Sequence, residues 1–409
     1  MSNVYLDYYD SRHKPTSKHL VCEFKIKPAK GVSLKEAACA VAAESSVGTW
    51  TKVTTATKHT WSIRARVFKL SKGKAFVSYP EILFEKGNMP QILSSIAGNI
   101  FGMKAVESLR LEDVIFTKGI VKSFKGPRFG LHGVRKKLKV KDRPLLGTIV
   151  KPKIGLGPKQ HSEVAYEAWY GGCDLVKDDE NLSSQRFNPF KERIVRTLEK
   201  QDLAEEETGE RKAYMPNITA EVDEMLDRLD FVREHGGKYV MVDVLTAGFS
   251  AVQTVRENSK GLIIHAHRAM HAAVTRNKAH GVSMLVLAKV FRLIGVDQLH
   301  TGTIVGKMEG GKKEVQEINR ALKAKMHGLK PVFPVASGGL SPVHVPSLIK
   351  YLGKDVIIQM GGGIHGHPDG TVAGAMAARQ AIEAVMNGVS LKEYAEDNIE
   401  LRHALIKWG

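Results

Sequence analysis

From residue 141 onward the chain repeats one pattern: a short apolar run, a polar or glycine-rich turn, then an amphipathic helix. Eight runs read as strands: PLLGTIVKP (144–152), CDLVKDD (173–179), AYMPNIT (213–219), YVMVDVL (239–245), LIIHAHR (262–268), QLHTGT (298–303), VFPVASGG (332–339) and VIIQMGGG (356–363). The segments between them read as helices. In AEVDEMLDRLDFVREHG, Val222, Met225, Leu226, Leu229 and Val232 form one apolar stripe. Ser341 and Pro342 start another helix, in the N-cap and first-turn positions that suit them. Eight such units in roughly 260 residues match a (β/α)8 barrel. A doubly wound sheet is the alternative, but no GxGxxG turn follows the first strand to support it.

The 409 residues exceed one small core, so a second domain is expected. Residues 1–125 read as a smaller α+β domain of ferredoxin-like pattern, 126–140 as a basic linker, and 141–409 as the barrel. LVCEFKIKP (20–28) alternates like a half-buried strand, and LKEAACAVAAES (34–45) is an alanine-rich helix. WSIRARVFKL and KAFVSYP pair around SKGK, NMPQILSSIAGNIFG is helical, and AVESLRLEDVIF returns as a strand.

The formal charge of +18 has a local excess at 117–143 but no finger, RNA-recognition or basic-zipper signature beside it. Such a charge suits nucleic acid, anionic lipid or a phosphorylated substrate, and the local excess reads most simply as a linker with a solvated basic face; the charge alone decides nothing. No run approaches the ~20 apolar residues of a membrane span. The N-terminus has no signal-peptide pattern, and Cys22, Cys39 and Cys173 are odd in number and unclustered. A cytoplasmic, reducing setting is therefore expected.

In a barrel of this kind the C-terminal strand ends share one mouth and carry the chemistry. Here they bear Lys151 and Lys153; Lys177, Asp179 and Glu180; Asn217; Asp243; His265, His267 and Arg268; His300; Ser337, Gly338 and Gly339; and Gly361, Gly362 and Gly363. One such residue alone is most simply a surface lysine or a satisfied core histidine; eight strands ending alike point to a site. A lysine beside carboxylates suggests magnesium, because oxygen ligands suit that ion. Lys177 would first have to lose its charge or be carbamylated by carbon dioxide, since an ammonium repels a cation. SGG and GGG offer bare backbone N–H groups as a phosphate grip, and Arg268 with His300 offers a second. TIVGKMEGG (303–311) places Lys307 between glycines, as a hinged lid requires. These residues describe an enolate held between two phosphates.

The same strings resemble the large-subunit family of ribulose-1,5-bisphosphate carboxylase/oxygenase (RuBisCO) over nearly the whole chain. They are AAESSVGTWT and GNIFG, then GTIVKPKIGLG, GGCDLVKDDEN, HAHRAMHA, LHTGTIVGKMEGG, VASGG and IIQMGGGIHGHP. The shortness of the chain and NIFGMKAVESLRLEDV look most like the archaeal form III branch. The resemblance implies that carbamylated Lys177 holds magnesium with Asp179 and Glu180 and takes the C3 proton of ribulose 1,5-bisphosphate. It implies that Lys151 manages protons at the enediolate and the final carbanion, that Lys153 orients it, and that His267 assists. Arg268 and His300 would bind one phosphate, and Ser337, Gly338, Gly339, Gly361 and Gly362 would bind substrate and phosphate. Lys307 would close over the new carboxylate. Glu44, Thr49, Trp50 and Asn99 would come from a neighbouring subunit, which implies a homodimer or an oligomer of dimers, with no small subunit.

Three departures stand out. Ile149 replaces a threonine of the photosynthetic enzymes, the segment between Lys307 and Ser337 is short, and the chain stops at ALIKWG without a lid-latching tail. A RuBisCO-like protein that only enolises or isomerises, for example a diketo phosphate in methionine salvage, is the rival reading. The joint presence of Glu44, Asn99, Lys151, His300, Lys307 and Ser337 argues against it. A binuclear amidohydrolase would carry its HxH pair on the first strand, whereas HAH lies on the fifth here.

Overall fold

The computed structural model describes residues 3–305 and 311–409. Its contacts divide the chain into two units. The second holds eight parallel strands: β1 Leu145–Ile149, β2 Leu175–Lys177, β3 Ala213–Met215, β4 Tyr239–Asp243, β5 Ile263–His267, β6 Gln298–His300, β7 Phe333–Ser337 and β8 Ile357–Gln359. They pair in the order β3-β2-β1-β8-β7-β6-β5-β4. The remaining seam, β3 to β4, is bridged at Asn217 and Met241, where Ile218 N–H donates to Met241 O at 3.0 Å and Met241 N–H to Pro216 O at 2.7 Å. All eight expected strands are present, and the sheet closes as a (β/α)8 barrel.

Each strand is short and buried on both faces, because helices cover the outside and side chains fill the inside. The lower interior is a cluster of Leu145, Leu175, Ala213, Met215, Tyr239, Met241, Ile263, Phe333, Val335 and Ile357. Leu131, Val134 and Leu138 join that cluster from below, on the helix Gly130–Leu138. Their i, i+3, i+7 spacing puts them on one helix face. Residues 126–140, expected as a basic linker, thus include a barrel plug. Its Arg135 points away from water, donating to Asp355, Lys354 O and Arg143 O at 2.8–3.1 Å.

The first unit is built on a sheet in which Val106–Ile115, His19–Pro28, Lys74–Pro80 and Arg66–Ser71 lie side by side, each antiparallel to its neighbour. With helices Leu34–Glu44 and Met89–Ile96 this is the β-α-β-β-α-β order of a ferredoxin-like domain. The helix Leu34–Glu44 begins at a capping box between Ser33 and Glu36. The unit also includes residues 270–294 and 326–329, so contacts do not follow the expected division of the sequence at 125 and 141. The reason is non-local pairing. Gly281–Val282 adds a parallel strand beside Arg110–Leu111, and Arg110 donates to the carbonyls of Thr275 and Asn277.

Candidate active site

Strand β2 delivers the central lysine. Side chains alternate along a strand, so Leu175, Lys177 and Asp179 share the inward direction while Val176 and Asp178 take the outward one. Lys177 is 1% exposed. Its Nζ donates to Asp178 O at 2.7 Å and lies 3.2 Å from Met241 Sδ. Burial lowers its affinity for a proton, and the charges of Asp179, Glu180, Asp243 and Asp178 offset that only in part. Its amine is therefore drawn toward the neutral, nucleophilic form.

The two carboxylates beside it face cations. Asp179 Oδ2 pairs with Lys151 Nζ. Asp179 Oδ1 is buried without a hydrogen-bond partner among the described residues, 3.4 Å from Lys153 Nζ. Glu180 Oε1 receives Lys153 Nζ at 2.8 Å. Burial would raise the Glu180 carboxyl, but the Lys153 ammonium, with His267 beyond, holds it well below the ordinary range. Asn217 fixes the backbone here, donating to Glu180 O at 3.3 Å and Leu182 O at 3.0 Å.

Among the described residues no three His, Cys, Asp or Glu side chains are arranged to hold a metal ion. Two carboxylates with an unsatisfied buried oxygen, beside an amine drawn toward neutrality, nevertheless fit a hard cation once a third oxygen ligand is supplied. A carbamate formed on Lys177 would supply it in place.

The opposite wall is built of histidines. His267 Nδ1 lies 2.9 Å from Asp243 Oδ1, and the His267 and His265 rings each stand edge-on to His300 with centroids 4.8 Å apart. His300 is engaged at both nitrogens, by His265 Nε2 at 2.8 Å and Ser337 Oγ at 2.7 Å. Arg268 is buried, which lowers its guanidinium to about 10 against the opposing charge of Glu314. Such a desolvated cation gains strongly from an anion placed on it. Gly302 sits at φ +92°, a backbone conformation that favours glycine, with the position a Cβ would take only 2.7 Å from Arg268 Nη2.

Gly338 and Gly339 follow β7 at φ +114° and +65°, which only glycine takes without strain. Gly361 precedes the turn Gly362–His365 after β8, and a Cβ on it would sit 3.2 Å from Lys151 Cε. Ile149 Cδ1 lies on the same side, 3.8 Å from that point. The short spacing before β7 still contains a full helix, Lys312–Lys323. Lys307 lies outside the described residues.

Glu44, Thr49, Trp50 and Asn99 belong to the first unit. Glu44 ends the helix Leu34–Glu44, which packs against the turn Asn99–Gly102. Thr49 lines a cavity of about 230 Å³ with Tyr8, Val53 and Trp61, and Trp50 is 76% exposed.

Sequence reasoning passed over one group. Asp178, next to the lysine, is fully buried on the outer side of β2. Tyr214 OH donates to it at 2.6 Å, Asn217 N–H at 2.9 Å and Arg193 Nε at 3.2 Å, with His161 Nε2 at 3.1 Å. The alternation of β2 was the signal that separates it from Lys177 and Asp179.

Fold and mouth together define a (β/α)8-barrel enzyme with a lysine–carboxylate centre and a rim bearing a buried arginine and glycine turns. Two family models then match the chain: the ribulose bisphosphate carboxylase large chain, catalytic domain, over residues 130–408, and its N-terminal domain over residues 7–119. The ribulose bisphosphate carboxylase of Methanocaldococcus jannaschii is 52% identical, covering 98% of this chain and 100% of its own. The octameric Rubisco structure from Pyrococcus horikoshii matches with a TM-score of 0.96 at 49% identity, covering 98% and 96% of the two chains. The dimeric archaeal Rubisco of Hyperthermus butylicus gives 0.93 at 46% identity over 100% of both. The chain belongs to the ribulose bisphosphate carboxylase large-chain family, with archaeal relatives consistent with form III.

Proposed function

We propose that this chain is a carbon–carbon lyase that adds carbon dioxide and water to ribulose 1,5-bisphosphate, giving two 3-phosphoglycerates, with oxygen competing for the same enediolate. The observation that carries the reading is Lys177: a buried amine drawn toward neutrality between two carboxylates, in a chain about half identical to archaeal ribulose bisphosphate carboxylases. A neutral amine attacks carbon dioxide and loses one proton, giving a carbamate. That carbamate, Asp179 and Glu180 would hold magnesium, which supplies charge stabilisation for an enediolate.

The chain's own groups do the rest. The carbamate on Lys177 accepts the C3 proton. Lys151, paired with Asp179, returns a proton at the enediolate and later at the carbanion, with Lys153 orienting it. His267, held by Asp243, passes protons at the opposite side. Arg268 serves one phosphate directly, and His300, whose two nitrogens are taken by His265 and Ser337, acts at that grip through Ser337; Gly338, Gly339, Gly361 and Gly362, with Ser337, serve the substrate and the other phosphate. Lys307 closes over the new carboxylate, and Glu44, Thr49, Trp50 and Asn99 complete the site from a second subunit.

The working unit is a homodimer or an oligomer of dimers without a small subunit, as the dimeric and octameric relatives support. The buried free cysteines fit a reducing cytoplasm. The form III likeness supports a role in nucleotide salvage. The test is fixation of labelled bicarbonate after preincubation with bicarbonate and magnesium, started with ribulose 1,5-bisphosphate. Label in 3-phosphoglycerate, lost in Lys177→Ala, is expected. No label, with deuterium exchange at C3 intact, would replace carboxylation by enolisation alone.

A further inference from the structure

Four polar side chains form one line through the barrel from β5 and β6 to the mouth. Gln298 and His265 are cross-strand neighbours in register. His300 lies two residues beyond Gln298 and so shares its face, and Ser337 ends β7 beside it. The contacts are Gln298 Oε1 to His265 Nδ1 at 2.8 Å, His265 Nε2 to His300 Nε2 at 2.8 Å, and His300 Nδ1 to Ser337 Oγ at 2.7 Å.

We propose that Gln298 and His265 are positioning residues that fix the tautomer of His300 and, through it, the direction of the Ser337 hydroxyl. Two ring nitrogens 2.8 Å apart share a single proton, so each ring is donor at one nitrogen and acceptor at the other. The amide oxygen of Gln298 carries no proton and must accept, which puts the His265 proton on Nδ1. His265 Nε2 is then bare and accepts from His300 Nε2–H. His300 Nδ1 is bare in turn and accepts from Ser337 O–H. Burial keeps both rings neutral, lowering His265 to about 3 and His300 well below its ordinary value, with nearby cations adding to the effect.

The far end of the line is held by one group only. Gln298 Nε2 is buried without a hydrogen-bond partner among the described residues, so the amide engages the line only through its contact to His265. Turning the amide over would reverse every donor in the chain. With the amide oxygen toward His265, Ser337 meets the mouth with lone pairs and accepts from a substrate hydroxyl. With it reversed, Ser337 would donate its proton to a substrate oxygen instead.

The consequence for turnover rests on the carboxylase reading, whereas the tautomers do not. The test therefore starts without substrate: long-range proton–nitrogen spectra of the protein labelled with 15N in its histidine rings. The expected result is His265 protonated at Nδ1 and His300 at Nε2, assigned by His265→Asn and His300→Asn. His300 protonated at Nδ1 would overturn the proposal, whatever the substrate proves to be. Gln298→Glu keeps an acceptor in place and retains the His300 tautomer, while Gln298→Leu removes it and leaves a mixture. With ribulose 1,5-bisphosphate, Gln298→Leu lowers kcat by ~10-fold, the low end of what orienting partners contribute, with a smaller change in KM. An unaltered His300 tautomer in Gln298→Leu would also contradict the proposal.

Discussion

Asp178 and Asp179 are chemical twins, adjacent on one strand end, yet their surroundings differ in kind. Asp178 faces the helix layer, where Arg193, Tyr214, His161 and the Asn217 amide satisfy it. Burial raises its carboxyl, and these partners more than reverse that, holding it far below the usual carboxylate range. Asp179 faces the mouth, with one oxygen on Lys151 and the other lacking a hydrogen-bond donor. The outward carboxylate is complete as folded; the inward one keeps an oxygen without a hydrogen-bond partner among the described residues. Two acids in opposite surroundings are separated here by a single residue of strand alternation.

The largest effect expected on that contrast comes from Lys177→Ala. Carboxylation and C3 proton exchange both fall to background, while the melting temperature is unchanged or higher, because a buried amine has been removed. Asp178→Ala should do the reverse. It strands the buried Arg193 charge and costs ~3–5 kcal/mol in urea denaturation. Asp179→Asn, by contrast, should abolish fixation with a stability change below about 1 kcal/mol. Equal destabilisation of the two aspartate variants would break the comparison.

A smaller effect tests whether the mouth interior is dry. His265 is lowered from 6.5 to about 3 by burial and by Lys177. Between those values the unfolded chain binds a proton that the folded one refuses, so stability rises with pH through this window and is flat above 6.5. Moving from pH 7 to pH 5 should cost about 2 kcal/mol through this residue, and His265→Asn should flatten that dependence. The smallest effect is at the rim. Lys153 is half exposed, so Lys153→Ala should alter fixation kinetics without a measurable change in stability.

Much of this was readable in the sequence, for physical reasons that also mark where reading stops. The eight strands announced themselves because each is a short apolar run ending in polar or glycine residues. Lys177, Asp179 and Glu180 stood out because charged groups directly after a buried run have few alternatives to the barrel mouth. The plug at Gly130–Leu138 was legible from Leu131, Val134 and Leu138 but was hidden among basic residues, several of which stay in water. Gly281–Val282 could not be read, because its pairing with Arg110–Leu111 spans some 170 residues and leaves no local signal. The Gln298–His265 contact depends on the register between β5 and β6, which composition does not encode. The membership of 270–294 in the first unit follows the same rule.

The central claim is that Lys177 is the residue that carbon dioxide modifies and that Asp179 and Glu180 wait for the ion this modification would complete. Carbon-13 spectroscopy of the protein in labelled bicarbonate, with and without magnesium, tests it most directly. The account predicts one slowly exchanging carbamate resonance that magnesium strengthens and that disappears in Lys177→Ala. A carbamate signal that survives Lys177→Ala, or none in the active protein, would contradict it.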